Sequence, residues 1–344
     1  VTAADGTVSQ LTGHSVVLAA GSVPRVIPGF EPGGPVMTSD EVLMLDKIPA
    51  RIAVIGGGAI GCEFASTFAD LGSQVTILEG LPKVLPGLDA DLANVVVRSF
   101  QKKKIDIKTG VAVKSHAPTG SGSTVITYGD DNATLEVDAV IVSVGRRPFA
   151  DQLGLAQTKV AVSDRGFVEV DSYCRTSVPD VYAIGDLINT PQLAHVAYAE
   201  AILVVKQVLG ETAIPVDYDR VPWAIYCSPE VAWAGPGEEA AKAAGHDVVV
   251  AKHQFRANSR AQILGEIDGL VKIIAKKNPD GSAGQVLGVH MVGPWVTEQL
   301  SGGYLAVNWE ASVEEIAHFI QPHPSLSELF GETVMSLTGR SINS

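Results

Sequence analysis

One glycine pattern, fixed between two kinds of periodicity, constrains this chain more than anything else in it. Arg51 to Ile55 is an apolar run of strand length. It leads into Gly56-Gly57-Gly58-Ala59-Ile60-Gly61, after which Phe64, Phe68 and Leu71 recur at helical spacing. Gly72 stops that helix, and Gln74 to Leu78 reads as the next strand. A strand, a Gly-x-Gly-x-x-Gly turn, a helix and a second strand make a compact βαβ unit built to hold a dinucleotide. The first glycine permits the tight turn, the second lets the backbone approach a pyrophosphate, and the third lets the helix pack on the strand. The helix that follows, read over 60–71, presents its free N–H groups and positive dipole end to the phosphates.

Glu79 closes the second strand. A carboxylate there accepts hydrogen bonds from adenosine ribose hydroxyls and repels a 2′-phosphate, so the motif predicts NAD rather than NADP. The plainer readings are a glycine turn without a ligand and a solvated strand end. Glu63, in the first turn of the helix, is either an acid stabilised by the helix dipole or a functional acid beside the nicotinamide.

The rest of the chain has room for such a unit and more. With 344 residues, 46% of them hydrophobic and 18% charged, it is long and apolar enough for two or three cores. A net charge of −13 leaves no basic face for nucleic acid and none for an anionic membrane. No apolar run reaches the length of a membrane span. Lys102-Lys103-Lys104 ends a predicted helix over 89–103, where cations complement the dipole on a solvated face. The three cysteines, Cys62, Cys174 and Cys227, are too few and too scattered for a disulfide framework or a metal cluster. The histidines show no metal-binding spacing either, so no metal is expected. Unpaired thiols point to a cytoplasmic compartment, or to a mitochondrial matrix in a eukaryote.

Pro and Gly between 21 and 35 read as a linker after a short buried-strand pattern over 15–20. The division predicted from these signals is four segments: 1–35, 36–150, 151–214 and 215–344. The third carries a strand over 181–184 and a helix over 194–209. The last reads as an α+β domain with strands over 248–252, 270–275 and 286–290, a turn at Asp280-Gly281, and helices over 237–244, 295–308 and 312–318. The chain opens without Met, and Asp5-Gly6 looks like a hairpin turn, as though the sequence started inside a sheet.

Three further motifs make the pattern specific. Ala20-Gly21-Ser22 follows an apolar strand. Tyr182-Ala183-Ile184-Gly185-Asp186 precedes Gln192-Leu193-Ala194-His195. His323-Pro324-Ser325-Leu326-Ser327-Glu328 lies near the C-terminus. In this order they resemble the pyridine nucleotide–disulfide oxidoreductases, and most closely the dihydrolipoamide dehydrogenases, over essentially the whole chain. The resemblance implies Rossmann-like FAD- and NAD-binding domains of α/β class, a C-terminal α+β dimerisation domain and a homodimer. It places Ala20, Gly21, Ser22, Asp186, Gln192, Leu193, Ala194 and His195 beside FAD, with Asp186 on the ribityl chain. Val111 and Gly145 join the glycine turn beside NAD. Phe149 departs from the family's polar residue after the Gly145 loop.

His323 and Glu328 would form the acid–base pair that takes a proton from a dithiol, serving the active site of the other subunit. Ser325-x-x-Glu328 is equally a helix capping box before Leu329, Phe330 and Val334, which is the structural alternative. Gln321 and Ser325 replace a common His and Thr. The implied reaction oxidises the dihydrolipoamide of a lipoyl domain in a 2-oxo acid dehydrogenase-type complex and reduces NAD. The family also implies an upstream FAD-binding glycine motif and a CxxxxC redox pair, and neither is in this sequence. The expectation is therefore a preceding segment of about a hundred residues and an inactive chain without it. The alternatives are a non-catalytic NAD-binding dimerisation module and another disulfide reductase. Glutathione reductases, which use NADPH, would put basic residues where Glu79 sits, and mercuric reductases would end in vicinal cysteines where this chain ends Ser341-Ile342-Asn343-Ser344.

Overall fold

The structure is a computed structural model and describes residues 1–342 apart from Ser121; the last two residues of the tail, Asn343 and Ser344, lie outside the described residues. The chain forms two compact units. One joins Val1–Val23 to Arg146–Tyr218, and the other joins Pro24–Gly145 to Asp219–Ser344.

In the second unit, the apolar run predicted as a strand is one, Arg51–Ile55, and lies in a five-stranded parallel sheet. The spatial order is Val36–Met37, Ala139–Val142, Arg51–Ile55, Gln74–Glu79, Asp106–Thr109. The strands Ala139–Val142 and Arg51–Ile55 read as nearly continuous apolar runs because they are buried in the middle of the sheet. Helix Ala59–Asp70 follows the glycine turn and buries Cys62, Ala65 and Phe68. Leu71, expected on the same face, is 52% exposed. It is the C-cap, the last residue in helical conformation, and the chain turns away at Gly72 (φ +97°), so little packs over its side chain. Helix Ala90–Lys102 is capped by Asp89, whose carboxylate accepts from the Asp91 N–H. The lysines that end it are paired rather than merely solvated: Lys102 meets Asp268 at 2.6 Å and Lys103 meets Asp70 at 2.8 Å.

The same unit contains a five-stranded antiparallel sheet in the order Trp223–Ile225, Glu230–Ala234, Ala283–Gly293, Leu270–Lys277, Val248–Gln254. Its first two strands were not apparent from the sequence; they are short and flank the Tyr226–Pro229 turn. The turn at Asp280-Gly281 joins two central strands as predicted, with Gly281 at φ +88°. Ile52, Cys62, Phe68 and Val96 share one core cluster with Ile225, Cys227, Val231 and Val292. The half that carries the glycine turn and the C-terminal sheet of this unit are thus packed on common apolar ground.

In the first unit, Val16–Leu18 pairs in parallel with Val181–Ala183. The sequence pattern predicted a buried strand here, yet Val16 and Val17 are 48% and 45% exposed. Among the described residues the strand has one neighbour, and of its three side chains only Leu18 packs on the core of Leu155, Val168, Ala183, Leu187 and Leu203. Helix Ala194–Val208 closes that core. Arg146–Pro148, expected as loop, is a short strand paired with Ser22–Pro24. No helix among the described residues is long and apolar enough to cross a membrane.

Candidate functional site

The three motif glycines separate cleanly by what surrounds them. Gly56 adopts φ +105°, and a Cβ there would sit 2.5 Å from the Ser143 carbonyl oxygen. A Cβ on Gly61 would overlap the carbonyl oxygen of Gly56 and lie 2.8 Å from Ser143 Oγ. Both positions are needed for the turn and for the helix to reach the sheet. Gly58 is different: no atom of the described residues lies within 4 Å of where its Cβ would be. Open space at the second glycine is what a pyrophosphate approaching the backbone requires, so these residues fit a dinucleotide.

Glu79 does more than end a strand. It is 8% exposed, and its carboxylate accepts from the Gly57 N–H at 2.5 Å and the Leu81 N–H at 2.7 Å. Each carboxylate oxygen keeps a second lone pair for a ribose hydroxyl. Val111 donates its N–H to the Glu79 carbonyl, and Gly145, at φ +104°, accepts from the Arg25 N–H. Glu63 accepts from the Tyr226 N–H at 2.8 Å, and burial raises its carboxyl above the ordinary range, against the opposing effect of that bond. Ser66 of the same helix accepts from the Ser228 N–H. The helix behind the glycine turn is therefore tied to the Tyr226–Pro229 turn at two points.

In the first unit the structure joins Ser22 to Asp186. Ser22 Oγ donates to Asp186 Oδ2 at 2.5 Å and accepts from Arg146 Nε at 2.6 Å. Asp186 lies in the turn Gly185–Leu187, and Leu193 caps the helix that begins Ala194-His195. Gly21 accepts from the Phe149 N–H. Gln192 Nε2 is buried and has no hydrogen-bond partner among the described residues. A buried orphan donor needs an acceptor, and a polar ligand beside the Asp186 turn would supply one.

Two residues here escaped the sequence reading. Arg146 is 124 positions from Ser22. Glu200 is fully buried and accepts from the Gly185 N–H, Thr190 Oγ1 and Tyr218 OH at 2.6, 2.8 and 3.0 Å. Nothing in an apolar helix pattern announces a carboxylate that braces a turn fifteen residues away.

His323 Nδ1 lies 2.7 Å from Glu328 Oε1, and Glu328 Oε2 accepts from the Ser325 N–H at 2.7 Å. The His323 side chain is 69% exposed, while that of Glu328 is 19% exposed. The capping box is only half formed. Helix Glu328–Ser336 has Ser327 as its N-cap, with no side-chain cap bond, and Ser325 Oγ pairs with Ser327 Oγ instead. The predicted cap at Ser325 is two residues early because the first turn after the Pro324 bend is not helical. One oxygen of Glu328 braces the backbone and the other holds the imidazole.

Residues 1–201 match the family model for pyridine nucleotide-disulphide oxidoreductase, and residues 221–334 match the dimerisation domain of the same family. The chain belongs to the pyridine nucleotide–disulphide oxidoreductases, the flavoprotein enzymes that work with FAD and NAD(H). Among its relatives, a dihydrolipoyl dehydrogenase of Bacillus subtilis is 38% identical over 338 residues, which is 97% of this chain and 70% of that protein. One of Cupriavidus necator is 37% identical over 337 residues, with the same coverage of each. Of solved structures, LpdA from Mycobacterium tuberculosis superposes with a TM-score of 0.91 at 29% identity, covering 98% of this chain and 72% of that one. The HOCl-induced flavoprotein disulfide reductase RclA of Escherichia coli follows at 0.88 and 26%, covering 94% and 74%.

Proposed function

We propose that this protein is an NAD-linked dithiol oxidoreductase of the dihydrolipoyl dehydrogenase type, with the dihydrolipoyl group of a lipoyl domain as substrate. The relatives carrying that name support the reading, and the observation that carries it is the His323–Glu328 pair. With Glu328 accepting the Nδ1 proton, the neutral imidazole keeps its lone pair on Nε2. Among the described residues nothing else bonds that ring, so Nε2 faces solvent and is available to a thiol proton. Flavin and nicotinamide, when bound, supply the two-electron chemistry. Ser22, Asp186, Gln192 and the start of helix Ala194–Val208 would hold the former, and Gly56–Gly61, Glu63, Glu79, Val111 and Gly145 the latter. The dimerisation domain brings two copies together, so His323 would serve the partner's dithiol site. The absence of basic residues at Glu79 favours NAD, and a cytoplasmic location suits the unpaired thiols.

The chain's own cysteines are not exchange thiols. Cys62, Cys174 and Cys227 are buried and unpaired. Burial pushes all three thiols up, Cys174 and Cys227 to about 12, and a protonated thiol is a poor nucleophile. That observation favours the second reading, a non-catalytic NAD-binding dimerisation module. NADH formation from dihydrolipoamide by the native holoprotein separates the two. Under the first reading, His323→Ala lowers kcat by roughly 10²- to 10⁴-fold and leaves NADH binding intact. Unchanged turnover in that variant removes His323 from the mechanism. A wild type that binds NADH but oxidises no dithiol establishes the module.

A further inference from the structure

Lys272 lies in the central strand Leu270–Lys277 of the C-terminal sheet with its side chain only 4% exposed. Its ammonium has three protons and three carboxylate partners: Asp89, Asp91 and Glu238, each at 2.9 Å. An unpaired ammonium at this depth would be strongly unfavourable. Burial is the largest single effect on it and acts downward, but Asp91, Glu238 and Asp89 together outweigh burial and hold the group protonated. Its cross-strand neighbours are Lys252 and His290. Lys252 reaches Asp91 at 3.1 Å, and Lys242 reaches Glu238 at 2.7 Å. His290, 3% exposed, is kept neutral because burial pushes its ring down to about 4. Three lysines therefore balance three carboxylates in one knot.

Two of those carboxylates are attached to the nucleotide turn. Asp89 is the N-cap of helix Ala90–Lys102 and ends the stretch 80–88. That stretch clasps the middle of the glycine motif. The Leu85 N–H donates to the Gly57 carbonyl at 2.7 Å, and the Leu81 N–H donates to Glu79, which itself holds the Gly57 N–H. A Cβ on Gly57 would lie 2.7 Å from Val84 Cγ1, so the clasp is close-packed. Leu85 sits at φ +50°, a conformation that a branched side chain holds only when its surroundings over-determine it. One end of the clasp is fixed by the strand at Glu79. The other end is fixed by Asp89, and Asp89 by Lys272.

We propose that Lys272 is a positioning residue for dinucleotide binding: from the dimerisation domain it fixes Asp89 and Asp91, and so holds the 80–88 clasp on the Gly56–Gly61 turn. The inference rests on the reading of that turn as the NAD site. Its test is an NADH fluorescence titration of the full chain, with hydrogen exchange at the Leu81 and Leu85 amides. Lys272→Met should raise the NADH Kd on the order of tenfold, the scale of coupling through packed networks, and should speed exchange at both amides. Lys272→Arg, which keeps the charge, should recover most of the affinity. Should Lys272→Met fail to fold, Asp91→Asn keeps two of the three pairs and should show a smaller change of the same kind. Lower thermal stability with unchanged NADH affinity and unchanged exchange at Leu81 and Leu85 would make the knot purely structural and overturn the proposal. A folded wild type that does not bind NADH overturns the site reading instead.

Discussion

Gly58→Ala and Gly61→Ala add the same methyl group three residues apart; both should weaken NADH binding, but only the second should cost stability. At Gly58 the backbone is at φ −75° and ψ −171°, which alanine adopts without strain, and no atom of the described residues lies within 4 Å of the new carbon. Alanine is a poorer N-cap than glycine by some tenths of a kcal/mol up to about 1. It also reduces the entropy of the unfolded chain, worth about 0.4–1 kcal/mol in the other direction. The two nearly cancel, so stability should stay within about 0.5 kcal/mol of wild type. The methyl fills the space in which a pyrophosphate approaches the turn, and NADH affinity should fall at least about tenfold, near 1.4 kcal/mol. At Gly61 the methyl overlaps the Gly56 carbonyl oxygen and crowds Ser143 Oγ. Overpacking of this kind costs about 1–3 kcal/mol or more, so this variant should lose stability as well as affinity. Urea denaturation and NADH fluorescence titration of both variants read the two effects separately. If Gly58→Ala binds NADH like wild type, the open space is not the pyrophosphate site and the assignment of the motif fails.

Three more outcomes follow from buried groups. Glu79→Gln presents an amide N–H₂ to one of the two backbone donors that Glu79 now accepts. An unsatisfied buried donor costs about 1–3 kcal/mol, so paired NADH and NADPH titrations should show a greater loss for NADH than gain for NADPH. Glu200→Gln disturbs the bracing of Gly185 in the same way. A lowered melting temperature with reduced flavin retention is expected, and undiminished flavin content in the purified holoprotein would speak against that role. His290 supplies a pH dependence. Its folded-state value, about 4, lies below the usual 6.5, so the unfolded chain binds the extra proton between those values. The stabilisation is complete above pH 6.5 and is lost as the pH falls toward 4, by about 3 kcal/mol at about 1.4 per unit. Denaturation series across that window should be flatter for His290→Gln than for wild type; parallel slopes would show that another group titrates there.

What the sequence determined by itself was whatever local chemistry imposes. Glycines at 56, 58 and 61 between an apolar strand and a periodic helix admit few backbones, and the turn, its flanking strands and helix Ala90–Lys102 all came out close to where the pattern put them. The His323–Glu328 pair was legible through the family resemblance, and a separation of five positions lets the two side chains meet. Tertiary structure alone decided the rest. The exposure of Val16, Val17 and Leu71 depends on which neighbours cover them, and a hydropathy pattern does not encode neighbours. Arg146 at Ser22, Glu200 at Gly185 and Lys272 at Asp89 are contacts across 124, 15 and 183 positions. A buried charge is tolerated only where folding brings its counter-charge or hydrogen-bond donors into reach, and that meeting is settled by the packing of sheets and helices, not by any residue's own neighbourhood in the chain.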